Sequence, residues 1–346
     1  MPTPESIKVR NDFTVGIDVG GTKVHIFDTI STNLHRYPTN DFPDLYALLD
    51  DYFAKMQAHP TKVTIAMAGP RNDVTGEVKM TNCPWPPFNP QEAAKKYPDV
   101  SFVTTNDMIA TTAGIVKSSG IDLKVLKSGT PTATGTKFIF TISTGTNGCA
   151  AAWDEQNQKR VFVPCEAGHV GFQPYNETQR RYLEHLSKKY DFPSVELAIS
   201  GKYGFENWLE HSLDALDAPE LTETIHRAVA DDRPLGMVLL EFANNGTGRS
   251  QKAAHTILDD MGTLVGSILA SYALVFKATG GVYLTGSVAV GLGEYWAEHT
   301  GFTKAFMRKG MPEHAPWLEA MTTAIPIYLS TDPHVAVSGA LELAKS

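Results

Sequence analysis

The sequence predicts the α/β class, on three observations. Short β-rich runs alternate with segments of helical periodicity along the chain. A unit of strand, Gly/Thr-rich turn and return strand occurs twice, from Thr14 and again from Lys137. Finally, 346 residues with 42% hydrophobic and 20% charged side chains suffice for about two domains, each with a sizeable core.

The elements follow in order. Thr14–Val19 (TVGIDV) is a β-rich run closed by the Gly20-Gly21 turn signal, and Val24–Phe27 returns as its hairpin partner. From Asp44 to Met56, the residues Leu45, Leu48, Leu49 and Phe53 recur at helical spacing. Val63–Met67 is a strand stopped by Gly69-Pro70. Residues 70–100 are rich in proline and irregular, with a short hairpin over Val74–Val78 and a helix near 90–96. Phe102–Thr105 is a strand, and Asn106-Asp107, good capping residues, open a helix through Val116. Residues 117–136, with Gly120, Gly129, Pro131 and Gly135, read as loop. They mark a boundary between a first, smaller domain over 1–120 and a larger one over 121–346. The opening unit then recurs as strand Lys137–Ser143, turn Gly145–Gly148 and return strand Cys149–Trp153. Residues 178–278 are mostly helical, ending in one long helix over Arg249–Ala278. Its Gly262, Gly266 and Ala270 form a small-residue face for close packing. Val282–Thr285, ending at Gly286, and Ile325–Leu329 are the last strands. Val335–Ala344 is the last helix, a candidate to return to the first domain.

Composition excludes several classes. With 30 basic and 38 acidic residues the formal charge is −8, which offers nucleic acid no general attraction. An anion such as a nucleotide needs a local site of backbone amides and a cation. The three cysteines, Cys83, Cys149 and Cys165, form no CxxC pair. A disulfide framework and a structural zinc are not expected, and the usage suits a reducing cytoplasm. The N-terminal stretch lacks an apolar core of the signal-peptide kind. The longest uncharged stretch, Met261–Phe276, falls short of the ~18 residues of a membrane span and reads as a buried helix.

Six stretches carry candidate chemistry. In Asp18-Val-Gly-Gly-Thr-Lys23, Gly20 and Gly21 bare the backbone to a phosphate. Thr22 and Lys23 can donate to its oxygens, and Asp18 can hold Mg²⁺ through water. An ordinary hairpin turn with an Asp cap accounts for it as well. Ser143-Thr144-Gly145-Thr146-Asn147-Gly148 repeats that character, and recurrence favours a shared phosphate role. Asn106 can hold a hydroxyl as donor and acceptor, while Asp107 is either a helix cap or a general base. Glu166 and His169, three apart around Gly168, can converge on a polyol, or can be a surface Glu near a loop His. Glu196 precedes a Ser200-Gly201 break. A strand flanked by Gly281 and Gly286 can let backbone pass close to a flat base, or is a buried strand with a turn at either end.

The order of these stretches resembles the hexokinase, actin and Hsp70-type ATPase superfamily. Gly16–Thr22 resembles its first phosphate motif and Gly145–Gly148 its second. Asn106-Asp107 resembles the sugar-binding Asn and catalytic Asp of its sugar kinases, and Gly281–Gly286 the adenosine motif. The closer resemblance, over about residues 13–342, is to the bacterial-type glucokinase family. It rests on Met80-Thr-Asn-Cys-Pro-Trp85, Glu166–Phe172, Ser194-Val-Glu196 with Ile199-Ser-Gly201, and Gly301–Phe306. There are departures. The second phosphate motif carries two glycines where the family usually has three, and Lys202 stands within the Ser-Gly-Pro-Gly stretch of relatives. The cysteine-rich zinc motif of the related ROK kinases has no counterpart.

The resemblance implies a two-domain actin-like ATPase (ribonuclease H-like) fold, with a small and a large α/β domain around a deep cleft. It implies ATP-dependent phosphorylation of glucose at the 6-hydroxyl, Mg²⁺ as cofactor, and a cytoplasmic homodimer. Asn82, Asn106, Asp107, Glu166, His169 and Glu196 would then hold glucose, with Asp107 as base. Asp18, Gly20, Gly21, Thr22, Lys23, Thr144, Gly145, Thr146 and Gly286 would face the nucleotide, with Asp18 toward Mg²⁺. The alternatives are a kinase for fructose, mannose or glucosamine, and a non-catalytic sugar- or nucleotide-binding protein on the same fold.

Overall fold

The computed structural model describes residues 13–31, 33–81, 83–118, 121–307 and 316–345. The chain forms two units, Met1–Ile121 with Asp332–Ser346, and Asp122–Thr331. Each is built around one mixed sheet.

The first unit contains β1 (Thr14–Val19), β2 (Lys23–Asp28), β3 (His35–Pro38), α1 (Leu45–Met56), β4 (Lys62–Met67), α2 (Pro90–Lys96), β5 (Ser101–Asn106) and α3 (Asp107–Lys117). Its sheet order is β3-β2-β1-β4-β5. β1 and β2 are antiparallel, as a tight Gly turn dictates, while β1, β4 and β5 run parallel. In the parallel strands one face is apolar, with Val15, Ile17, Val63 and Ile65 buried in register, while small residues, Gly16, Thr64 and Ala66, are buried on the other. Helix α1 begins where Asp44 accepts from the Ala47 N–H at 2.8 Å and buries its Leu45, Leu48, Leu49, Tyr52 and Phe53 stripe.

The second unit contains β6 (Leu123–Lys127), β7 (Lys137–Ile142), β8 (Thr146–Asp154), β9 (Lys159–Cys165), α4 (Glu177–Lys189), α5 (Val195–Ile199), α6 (Tyr203–Leu216), α7 (Pro219–Ala230) and α8 (Leu235–Asn245). It continues with α9 (Gly248–Val275), β10 (Val282–Thr285), α10 (Ser287–His299), α11 (Phe302–Met307), α12 (Pro316–Ala324) and β11 (Ile327–Ser330). Its sheet order is β6-β11-β10-β7-β8-β9. The core order β9-β8-β7-β10-β11 repeats that of the first unit strand for strand, with β7, β10 and β11 parallel. The recurring hairpin of the sequence is therefore the visible part of a repeated topology. The last helix, α13 (Val335–Ala344), belongs to the first unit. A methyl on Gly339 would lie 1.8 Å from the Ala110 carbonyl oxygen, and one on Gly16 would lie 2.2 Å from the Leu341 nitrogen.

Helix α9 passes through the second core, and the small-residue face works as expected. A methyl on Gly266 would lie 2.2 Å from the Phe302 carbonyl oxygen. The helix is long and apolar enough to cross a membrane, but 67% of its most apolar window is buried in this core. It stops at Val275, three residues before the expected end, because Lys277 turns left-handed with φ 45°.

Three strands were not anticipated. β6 lies inside the segment 117–136 that reads as loop, and β3 and β9 are edge strands with weak alternation. Val74–Val78 is not a hairpin. Asn72 and Gly76 close a turn there, and Val78 makes single bridges to Arg71 and Phe88. The last strand starts at Ile327, just past Pro326.

Candidate active site

In the first unit the β1–β2 turn is closed by the Gly20 N–H donating to the Lys23 carbonyl at 2.9 Å. It is braced by Thr39, whose hydroxyl donates to the Gly20 carbonyl. Neither Gly20 nor Gly21 has a positive φ, so these glycines bare the backbone rather than permit the turn. Gly20, Thr22 and Lys23 are exposed. The Asp18 side chain, 26% exposed, lies one residue short of the β1 terminus, with His25 Nδ1 at 3.9 Å from its Oδ2. Because β4 separates β1 from β5, Asp18 and Asn106 stand two strand spacings apart, about 10 Å. Both lie at carboxyl ends of parallel strands, the usual ligand edge of such sheets. Asn106 caps α3: its side-chain oxygen accepts from the Met108 N–H at 2.9 Å, and Asp107 Oδ1 accepts from the same N–H at 2.9 Å. The positive end of α3 thus holds the Asp107 carboxylate. Asn82 lies outside the described residues.

In the second unit the β7–β8 turn gathers most of the remaining candidates. The Ser143 N–H donates to the Gly145 carbonyl, so the next pair, Ile142 and Thr146, does not exchange hydrogen bonds and the Thr146 N–H faces away from β7. β9 pairs with β8 only from Gly148 onward. That outward N–H therefore has no strand partner, and it donates to Glu196 Oε2 at 2.9 Å. The neighbouring Asn147 Nδ2 donates to Glu166 Oε2 at 3.0 Å. Glu166 Oε2 also lies 3.8 Å from His169 Nε2, with both side chains largely exposed at 72% and 61%. Gly168 lets this Glu-x-x-His turn lie against β8, since a methyl there would sit 1.8 Å from the Thr146 carbonyl oxygen. Ser194 caps α5 and the Val195 N–H donates to the Val170 carbonyl, which ties Glu196 to the same loop. Burial pushes the adjacent Cys165 thiol up.

The other side of the turn opens on a cavity of ≈ 630 Å³, large enough for a nucleoside. Thr144, Lys202, Phe205, Arg233, Met237 and Val288 are among its lining residues. The α5–α6 junction docks on the turn: the Gly201 N–H donates to the Ser143 carbonyl at 2.7 Å, and the Lys202 N–H to the Thr144 carbonyl at 3.3 Å. The Ser143 and Ser287 hydroxyls meet at 3.0 Å, joining the ends of β7 and β10. Gly286, with φ 95°, packs against the Ile142 carbonyl, and its neighbours Ser287 and Val288 line the cavity in its place.

Sequence reasoning did not single out Asn147 as the partner of Glu166, Gly168 as the contact with β8, or the cavity wall from Val229 to Met237. Asn147 and Gly168 had a signal, lying inside motifs already marked. The wall had none, being the ordinary end of one helix and start of another. Among the described residues no group of three or more His, Cys, Asp or Glu could hold a metal. The partly exposed Asp18 carboxylate fits Mg²⁺, which typically takes one or two carboxylates and completes its shell with water and substrate phosphate.

The sequence profile of the family described as Glucokinase matches residues 15–346. A glucokinase of Trichormus variabilis is 29% identical over 345 residues, covering 93% of this chain and 96% of its own. The crystal structure of a glucokinase from an Antarctic psychrotroph superposes with a TM-score of 0.78 at 19% identity, over 96% of this chain and 99% of that one. A ROK family glucokinase from Streptomyces griseus, solved in complex with glucose and AMPPNP, superposes with a TM-score of 0.60 at 18% identity, over 96% and 99%. The fold is the actin-like ATPase fold expected from the sequence.

Proposed function

The chain belongs to the glucokinase family, and from that premise we propose that it transfers the γ-phosphoryl group of ATP to the 6-hydroxyl of D-glucose. The carrying observation is the β7–β8 turn. Glu166 and Glu196 are both hydrogen-bonded to its residues, and the same turn supplies Thr144 to a nucleoside-sized cavity. A plain ATPase would have no use for this convergence of carboxylates and an imidazole on the turn.

Each residue has one task in this reading. Glu166 and Glu196 accept from sugar hydroxyls, His169 donates or accepts, and Asn106 uses the amide donors that its capping bond leaves over. Asn82 is a further sugar contact. Asp107 takes the 6-hydroxyl proton as that oxygen attacks phosphorus and the bond to the ADP oxygen breaks. Gly20, Gly21, Thr22 and Lys23, and likewise Thr144, Gly145 and Thr146, face donor phosphates, while Gly286 shapes the backbone beside the base. Mg²⁺ held at Asp18 through water would neutralise phosphate charge. The remaining catalysis is positioning and exclusion of water.

The reaction is the entry step of glycolysis, carried out in the cytoplasm. A homodimer is the assembly that the family resemblance implies. Light scattering on the eluting protein reads this directly. The test of function is coupled ADP release with Mg-ATP across glucose, mannose, fructose, glucosamine and no sugar. Turnover with glucose well above the others supports the reading, and preference for another hexose replaces the substrate. Absence of any sugar-dependent turnover leaves a binding protein on a kinase fold.

A further inference from the structure

We infer that Glu196 makes engagement of the phosphate donor conditional on the sugar; this rests on the reading of the β7–β8 turn as a phosphate-facing element. A backbone N–H at a Gly/Thr turn is an anion-binding group. Here the chain's own carboxylate already occupies it: Glu196 Oε2 accepts from the Thr146 N–H at 2.9 Å. The same oxygen lies against Gly145, 2.9 Å from where a methyl carbon on that residue would sit. Glu196 therefore stands in for a phosphate oxygen and puts a negative charge against the incoming donor. The turn also has an unfilled capacity, since the Thr146 hydroxyl is buried without a hydrogen-bond partner.

Sugar hydroxyls are donors that compete for a carboxylate. Once they bond to Glu196, its hold on Thr146 loosens, the turn N–H is released to the donor, and the repulsion falls. Without sugar the donor is poorly engaged, so water is disfavoured as an acceptor. By linkage, the donor tightens the sugar by the factor with which the sugar tightens the donor.

The experiment is calorimetric titration of Mg-AMPPNP into wild type, Glu196→Gln and Glu196→Ala, each with and without glucose, with thermal unfolding to verify folding. Glucose is expected to tighten AMPPNP on wild type by about tenfold, the scale of one charge-assisted contact. Both variants are expected to bind AMPPNP without sugar about tenfold more tightly than wild type and to lose the response to glucose. A gain in the alanine variant alone also supports the inference and assigns the block to the hydrogen bond rather than the charge. A merely structural role would weaken binding in both. Sugar-free affinity equal to or weaker than wild type in both variants overturns the inference. Failure of glucose turnover in the coupled assay removes the substrate assignment instead, and leaves this sugar-free comparison to be judged by itself.

Discussion

Replacing Gly168 by Ala perturbs the site without removing a single functional group. The added methyl would sit 1.8 Å from the Thr146 carbonyl oxygen, so something must retreat by about 1.2 Å to clear the 3.0 Å that a real methyl carbon respects. Thr146 opposes Ile142 in the β7–β8 ladder and resists movement. The Glu166–His169 turn, closed by its own His169 N–H to Glu166 carbonyl bond and by the Tyr272 hydroxyl on Ala167, must therefore shift as a body. Overpacking of this kind costs ~1–3 kcal/mol and should appear as a lower Tm. Displacing positioning groups by about 1 Å costs roughly 10²-fold in rate. We expect kcat/KM for glucose to fall by about that factor in coupled ADP release, with Glu166 and His169 still present. Activity within twofold of wild type and an unchanged Tm would refute the claim that contact with β8 aims this turn.

Asp107→Ala should lower kcat at least ~10²-fold, the low end for loss of a general base, and near-normal turnover would remove it from that role. Asn147→Ala removes the donor that holds Glu166 Oε2 and should raise KM for glucose about fivefold with kcat little changed, read from the same assay. Asp28 is a buried carboxylate accepting from Ile30 N–H, Ser31 N–H, the Ser31 hydroxyl and the Tyr52 hydroxyl. Burial opposes its ionisation, but these hydrogen bonds outweigh it and hold the carboxyl below its ordinary 3.8. Its stabilisation is fully present above that value and is lost as pH falls through the lower folded-state value. Asp28→Asn should therefore lower Tm at pH 7 and flatten its acid dependence below pH ~4, by calorimetry, and an unchanged Tm–pH curve would contradict the network's role.

The α/β class, the existence of the two Gly/Thr hairpins and most helices are legible in the sequence, whereas the second turn is tighter than it reads, with Thr146 of β8 already paired to Ile142. The legible features rest on interactions within a few residues: apolar spacing in α1, the Asn106 cap of α3, the glycines after TVGIDV. The sequence also exposed the candidate residues, because carboxylates, an imidazole and bare backbone in ordered motifs are visible one residue at a time. The tertiary structure decided what those residues are bonded to. Glu196 meets Thr146 across fifty positions of sequence, and Asn147 meets Glu166 across nineteen. Edge strands β3 and β9, the strand β6 inside an apparent loop, and the wall of the cavity were likewise decided there. The physical reason is range. Propensity and capping act along the chain, whereas an outward N–H left without a strand partner takes whatever acceptor the fold delivers, and no local pattern names it.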